Sequence, residues 1–213
     1  EATLSDVVNN VRVTGRLEKP GLQKIPPWGH GDTFDASQLP PNLAMLGAKI
    51  AGCGAFRVGP PRDATINMRE HSFFQLDPHV DPASDGPDVF ILGLESSVVL
   101  TFSPPDSELA ARGLPPRRRD GREVGLRSWT DLDIDVLVQP RSLVHFTGAA
   151  RDSWMHAIRS GVQVGDPDAQ QNQSEVCDWW GQTDYLVKRG PRRLSVVLAF
   201  GAPPPPESNT PDS

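Results

Sequence analysis

Short apolar runs separated by proline and glycine are the feature that most limits the folds open to this chain. Residues 89–94 read Val-Phe-Ile-Leu-Gly-Leu, and residues 97–102 follow after a brief polar break. Both runs are rich in β-branched or aromatic residues and short enough for buried strands, so together they predict a β-hairpin. The 213 residues include 22 prolines and 19 glycines, which favours many turns and long loops over a helical bundle.

Strand-like segments recur along the chain, and one helix precedes most of them. The helix is predicted from Pro41 to about Ala51, because proline suits a first helical turn. Leu43, Leu46 and Ile50 fall at helical spacing within it. Further strands are predicted at 65–69, 72–76, 134–138, 142–147, 154–158 and 192–200. The pattern predicts a mainly β fold, closed or sandwiched, with an early flanking helix and long loop insertions.

A chain of this length is expected to form one domain. We assign residues 41–201 to that domain and residues 1–40 to an N-terminal extension that packs on its core. Two polar stretches, about 103–131 and 161–184, are predicted insertions. The proline-rich tail at 202–213 is predicted to be disordered.

Composition limits the classes of partner and compartment. The formal net charge of −6 argues mildly against nucleic-acid binding by the whole protein, although a local patch can override it. Cys53 and Cys177 are too few for a disulfide framework and are expected to be small buried residues in a reducing compartment. No apolar run reaches the length of a membrane span, and no secretory signal opens the chain. We therefore expect an intracellular monomer, cytoplasmic or nuclear, although residue 1 is Glu, which suggests a longer native protein.

Two polar stretches carry features with open alternatives. The run Arg117-Arg118-Arg119 lies in a basic segment, 112–127, that either grips phosphates or an acidic protein surface or is a solvated loop. Trp179-Trp180 is either a lid over a site or part of a core, and core packing is the expected role.

The triplet His79-Val80-Asp81 predicts a metal site. Residues two apart on a strand project from the same face, so this spacing places an imidazole beside a carboxylate. A second imidazole, His156, would complete three ligands on one face of an octahedral metal. The opposite face then stays open, which is typical of non-haem Fe(II) oxygen chemistry. The alternatives are a solvated triplet and a core histidine at 156.

The order of these motifs resembles the AlkB-type branch of the 2-oxoglutarate/Fe(II)-dependent dioxygenases. The resemblance covers roughly residues 40–201 and rests on Pro78–Asp81, Thr147–Ile158 and Arg193–Ser195. The block that ends in His156 is most similar to the fourth animal homologue of that family. Members fold as a double-stranded β-helix, or jelly roll, which agrees with the strand pattern.

The resemblance also implies the ligand set and the reaction. His79, Asp81 and His156 would ligate Fe(II), and 2-oxoglutarate would be the cosubstrate. The substrate would be a methylated protein side chain or an alkylated nucleic acid, hydroxylated at an N-methyl group. The acidic composition and the similarity to the fourth homologue favour a protein, whereas the basic segment favours a nucleic acid.

The cosubstrate contacts follow from the same resemblance. Arg193 would pair with the distal carboxylate of 2-oxoglutarate, because a guanidinium matches a carboxylate bidentately and keeps its charge when buried. Ser195 lies on the same strand face as Arg193, and Asn67 occupies roughly the place of a family asparagine that helps to hold the cosubstrate. Arg192 is the alternative to Arg193. The family register favours Arg193, and strand alternation turns Arg192 away from the pocket if Arg193 points in.

Three departures from the family pattern leave other functions open. Val197 and Ala199 replace family residues on the last strand, so a second arginine is missing. No tyrosine stands between Asn67 and Pro78, and the His156–Arg193 spacing is unusually long. A catalytically degenerate jelly-roll binding module is one alternative, and a cupin-like enzyme with Zn or Mn is another.

Several nearby residues are not assigned to the site. Asp85 and Asp88 are acidic but do not lie two residues from a histidine. His71 and His145 have no partners in the sequence pattern and are expected to be structural or on the surface. Arg151 is expected to bridge structure near the site.

Overall fold

Two four-stranded antiparallel sheets form the body of the protein. The structure, a computed structural model, describes residues 27–114, 130–165, 174–180 and 182–205. The strands are β1 Pro61–Arg69, β2 Leu76–His79, β3 Asp88–Gly93, β4 Val98–Ser103, β5 Ile134–Val138, β6 Leu143–Phe146, β7 Met155–Ile158, β8 Val162–Gly165, β9 Ser174–Trp180, β10 Gln182–Lys188 and β11 Arg193–Phe200. The helices are α1 Pro41–Gly52, α2 Asp106–Ala111 and α3 Ala149–Asp152, with single 3-10 turns at Gly31–Thr33, Ala36–Gln38 and Ala83–Asp85.

The main sheet has the strand order β1-β11-β3-β6, and the second sheet has the order β2-β7-β4-β5. Every pairing in both sheets is antiparallel. The chain moves from one sheet to the other as it passes from β1 to β2, β3 and β4, and again from β5 to β6 and β7. The fold is thus mainly β and jelly-roll-like, as the sequence predicts.

Helix α1 covers the outer face of the main sheet and agrees closely with the predicted helix. Proline occupies its first turn, and Leu43 and Ile50 are its buried residues. Trp28, in the described part of the N-terminal extension, is 1% exposed in the same cluster. Its indole Nε1 donates to the carbonyl oxygen of Ala64 on β1 at 2.8 Å. Burial of these apolar side chains holds the helix against the sheet.

A second apolar cluster fills the space between the two sheets. It joins Val89 and Ala199 of the main sheet to Leu100 and Ile158 of the second. On β11, Leu194, Val196, Leu198 and Phe200 belong instead to the cluster under α1. Side chains alternate along a strand, so the odd-numbered residues of β11 face the second sheet.

The predicted hairpin of residues 89–94 and 97–102 is wrong. Strand β3 pairs with β11 and β6, whereas β4 pairs with β5 and β7, so the two runs lie in different sheets. All six residues of β4 are buried, and five of the six in β3 are. A strand buried on both faces has no polar alternation to reveal its partner, and proximity in sequence alone suggested the hairpin.

The stretch 161–184, predicted as a polar insertion, contains much of a third sheet with the order β10-β9-β8. This sheet packs outside the second sheet, where the backbone N–H of Val99 donates to Asp178 at 3.2 Å. In the other predicted insertion, the sequence pattern missed helix α2. The arginine run 117–119 lies outside the described residues, as do 1–26 and 206–213.

Three smaller expectations are also corrected. The strand predicted at 72–76 begins only at Leu76. Cys53 is exposed at the end of α1, although Cys177 is buried as expected. Trp180 is 36% exposed rather than in a core, and its ring meets Tyr185 edge-on at 5.5 Å. Adjacent residues on a strand face opposite ways, so two neighbouring tryptophans cannot both enter one core.

In the described part of the chain, no helix is both long enough and apolar enough to span a bilayer.

Candidate metal centre

Three polar side chains that are far apart in sequence meet at one edge of the second sheet. His79 at the end of β2 lies directly opposite His156 on β7. Asp81 follows two residues after His79, and its two carboxylate oxygens lie 3.3 Å from His79 Nε2 and 3.8 Å from His156 Nε2. The structure therefore brings together the three predicted metal ligands. In the described ranges, no other group of three or more His, Cys, Asp or Glu has metal-binding geometry.

The donor set fits one divalent metal ion. One ligand atom from each residue lies within 4.8 Å of the others. Bonds of about 2.1 Å to nitrogen and oxygen would place adjacent ligands of an octahedral ion about 3 Å apart, so small side-chain rotations suffice. Two imidazoles and one carboxylate are also the donor types of open non-haem Fe(II) sites.

The ring orientation of His79 is set by a backbone contact. Its Nδ1 lies 2.8 Å from the carbonyl oxygen of Asp77. A carbonyl only accepts hydrogen bonds, so Nδ1 is the donor of this contact, and Nε2 is the nitrogen that faces Asp81 and is left to bind a metal. An outer hydrogen bond of this kind holds a metal-binding histidine in the required tautomer and orientation.

Asp81 stays ionised through its surroundings. Burial alone would raise its pKa. The hydrogen bond from His79 and the positive charges of His156, His79 and Arg151 outweigh burial and lower the pKa from 3.8 to about 2. A carboxylate with this pKa is available as an anionic ligand across the physiological range.

Arg151 holds the loop that carries Asp81. The side chain is 2% exposed, and it donates to the carbonyl oxygens of Asp81 at 3.0 Å, Pro82 at 2.5 Å and Gly86 at 3.0 Å. Because Arg151 lies on α3, shortly before β7, it ties the Asp81 loop to the segment that leads to His156. This is the bridging role expected from the sequence.

A second group of polar side chains lies on the main sheet and faces the second sheet. Strand register places Asn67 of β1 opposite Ser195 of β11, and Arg69 opposite Arg193. Directly opposed residues share a sheet face, and the odd-numbered face of β11 contains Ala199 of the intersheet cluster. The predicted residues Asn67, Ser195 and Arg193 are therefore neighbours.

The metal-site histidine faces the same intersheet space. His156 is 5% exposed, and its ring centroid lies 5.3 Å from that of Phe146 in the main sheet. Phe102 lies 6.1 Å from the same ring. His156 on one sheet and the Arg193 group on the other thus face the same layer between the sheets, to which Phe74, Phe102 and Phe146 belong.

Arg193 has no acidic partner in the described part of the chain. Its Cζ lies 5.8 Å from the ring centroid of Phe74. Burial and the charges of Arg69 and Arg189 lower the pKa of Arg193 from 12.5 to about 10, against a smaller opposing effect of Asp178. Next to it, Ser195 is 0% exposed and its Oγ has no hydrogen-bond partner among the described residues. A buried cation without an acidic partner and a buried hydroxyl without a hydrogen-bond partner together form a site for an anion.

Arg192 and His145 lie outside this group of polar residues. Arg192 points outward and pairs with Glu95 at 2.7 Å through Nε, as alternation predicts. His145 does have a partner, because Nε2 lies 2.9 Å from Asp88 Oδ1. Its ring also stacks on Phe90 at 4.2 Å, so its role is structural.

Arg189 is a residue of the site region that the sequence analysis missed. Its side chain is fully buried and lies over the Phe74 ring at 4.5 Å. It donates to the carbonyl oxygens of Phe74 at 2.6 Å and Ser72 at 3.0 Å, and to the carboxylate of Asp178 on β9. No pattern in residues 161–190 indicated this link to the segment before β2.

No protein-family model and no curated protein sequence matches this chain.

Proposed function

We propose that this protein is a 2-oxoglutarate- and Fe(II)-dependent dioxygenase that hydroxylates or oxidatively demethylates its substrate. The observation that carries the proposal is the meeting of His79, Asp81 and His156 within reach of one metal ion. The resemblance of the three sequence motifs to AlkB-type dioxygenases supports the choice of iron.

Each polar residue of the site has a part in this function. His79, Asp81 and His156 hold the metal on one side and leave its other positions for ligands. Fe(II) and 2-oxoglutarate, when bound, would supply with dioxygen the oxidation of a substrate C–H bond. Arg193 receives the distal carboxylate of the cosubstrate through its planar fork. Ser195 Oγ lies beside Arg193 and donates to the same carboxylate.

Two further features prepare the site. Asn67, opposite Ser195 in the sheet register, offers an amide to the cosubstrate. Phe102 and Phe146 pack around the His156 ring and make its surroundings apolar. In this environment the guanidinium of Arg193 interacts with a carboxylate more strongly than it would in water.

The proposed substrate class rests on the net charge of the protein. A methylated protein side chain is favoured over an alkylated nucleic acid, because the net charge is −6 and a polyanion would be repelled. We further propose that the protein works inside the cell as a monomer.

The proposal is tested by uncoupled turnover. Purified protein with Fe(II), ascorbate and 2-oxoglutarate should form succinate slowly without a substrate, and His79→Ala should abolish this. His71→Ala is the matched control, because His71 is exposed and lies outside the ligand cluster. Wild-type protein that forms no succinate and retains no iron would contradict the proposal.

A degenerate jelly-roll binding module is the second candidate. Ala199, in place of a family arginine, is 1% exposed and packs in the intersheet cluster, so this position has no cation. Iron retained without succinate formation would favour this candidate. Metal analysis of the purified protein also distinguishes iron from the Zn or Mn of a cupin-like enzyme.

A further inference from the structure

Arg69 is a second cation beside Arg193. It lies at the end of β1, directly opposite Arg193 in the antiparallel register, and both side chains start from the same sheet face. Opposed residues of such a pair have Cβ atoms about 5 Å apart. Arg69 is half-buried, and its Nη1 donates to the carbonyl of Met68 at 3.1 Å.

Like charges face each other across this strand pair. In the described part of the chain, neither Arg69 nor Arg193 has a carboxylate within ion-pair distance. The nearby Asp178 is taken by Arg189 in a buried ion pair. Two guanidiniums held together without an acid repel each other and cost stability. Unfavourable arrangements of this kind occur at functional sites more often than in structural cores.

The ligand that relieves this repulsion is an anion with a planar carboxylate. Guanidinium groups match carboxylate geometry with two parallel hydrogen bonds. The buried Ser195 Oγ, which lacks a partner among the described residues, lies next to Arg193 on β11 and faces the same space. Two cations and one hydroxyl on one face would satisfy both oxygens of a single carboxylate.

We propose that Arg69 determines specificity for a dicarboxylate: with Arg193 it forms a two-guanidinium site for the carboxylate distant from the metal. This inference deepens the proposed function by naming the residue that selects 2-oxoglutarate over 2-oxo acids with one carboxylate, such as pyruvate.

The inference is tested without turnover in two measurements on the full chain. Succinate contains a dicarboxylate but no 2-oxo group, so its stabilisation of the metal-free protein reports the arginine site alone. Calorimetry of Mn(II)-loaded protein then gives the dissociation constants of 2-oxoglutarate and pyruvate. Arg69→Met is the test variant, and Arg69→Lys retains the charge. Arg192→Met is the matched control, since it removes the same charge from the outward face.

We expect Arg69→Met to weaken the binding of 2-oxoglutarate roughly 10- to 100-fold, because one charged hydrogen-bonding group is lost. The affinities for pyruvate and Mn(II) should be unchanged. Arg69→Lys should recover part of the loss, and Arg192→Met should resemble the wild type. Without ligand, Arg69→Met should melt at the same or a higher temperature, because it removes the repulsion. A residue with a purely structural role would instead lower the melting temperature.

Each other outcome has a definite meaning. Equal 2-oxoglutarate affinity in wild type and Arg69→Met would overturn the inference and leave the proposed function standing. Equal loss of Mn(II) and of 2-oxoglutarate would also overturn it. Wild-type protein that binds succinate through Arg69 but holds no iron would uphold the arginine site and contradict the dioxygenase. No binding of either dicarboxylate to the wild type would overturn both.

Discussion

His79 and His156 face each other across the antiparallel pair β2 and β7, with their ring centroids 4.3 Å apart. These residues are 77 positions apart in the sequence, and a single cross-strand register joins them. Asp81 follows His79 by two residues and completes the set from the loop beyond the strand. The candidate metal centre therefore depends on one pairing between two four-residue strands.

Replacing His79 with alanine should remove metal binding and keep the fold. His79 is half-buried at the end of a short strand, so its loss leaves the two apolar clusters intact. We expect the iron affinity to fall by more than the roughly 10- to 100-fold typical for loss of an outer partner. Iron content and circular dichroism check both points, with His71→Ala as the control. A large loss of secondary structure would contradict this.

Replacing Arg193 with alanine should weaken the binding of 2-oxoglutarate far more than the binding of iron. Arg193 lies on the main sheet, whereas the three metal ligands lie on or just after strands of the second sheet. Titration of each ligand separately measures the two effects, and Arg192→Ala controls for the lost charge. Equal loss of iron and 2-oxoglutarate would count against the assignment.

Replacing Arg151 with methionine should weaken the metal site indirectly. The change removes three part-buried hydrogen bonds to backbone carbonyls, and a hydrogen bond of this kind contributes about 1 kcal/mol. We expect lower thermal stability together with about 10- to 100-fold weaker metal binding. Arg151→Lys should restore part of both. Unchanged metal affinity in a destabilised Arg151→Met variant would limit Arg151 to a structural role.

Replacing Arg189 with methionine should destabilise the protein by about 3–5 kcal/mol, because it leaves the buried carboxylate of Asp178 without its partner. Chemical denaturation measures this change. The double variant Arg189→Met, Asp178→Leu should recover part of the loss, since two apolar side chains replace the ion pair without leaving a buried charge. A double variant no more stable than Arg189→Met would show that the pair does not account for the loss.

The orientation of side chains within a single strand could be predicted from the sequence. Strand alternation is local geometry, so Arg192 must face outward where Arg193 faces inward. The same rule does not account for Asp81, because β2 ends at His79 and Asp81 lies in the loop that Arg151 holds. The helix from Pro41 was predictable for a similar reason, because its turn spacing and its first proline are local features. These predictions needed no knowledge of what the strands pair with.

Pairing between strands was decided by the tertiary structure. Nothing local distinguishes β3 from β4, since both are buried on both faces, and the hairpin predicted between them does not exist. The same holds for the pairing of Arg69 with Arg193 and for the position of Arg189 over the Phe74 ring. The alternation of one strand is a property of its own backbone. Which strand pairs with it depends on the burial of whole sheets against each other, and distant parts of the chain contribute to that burial.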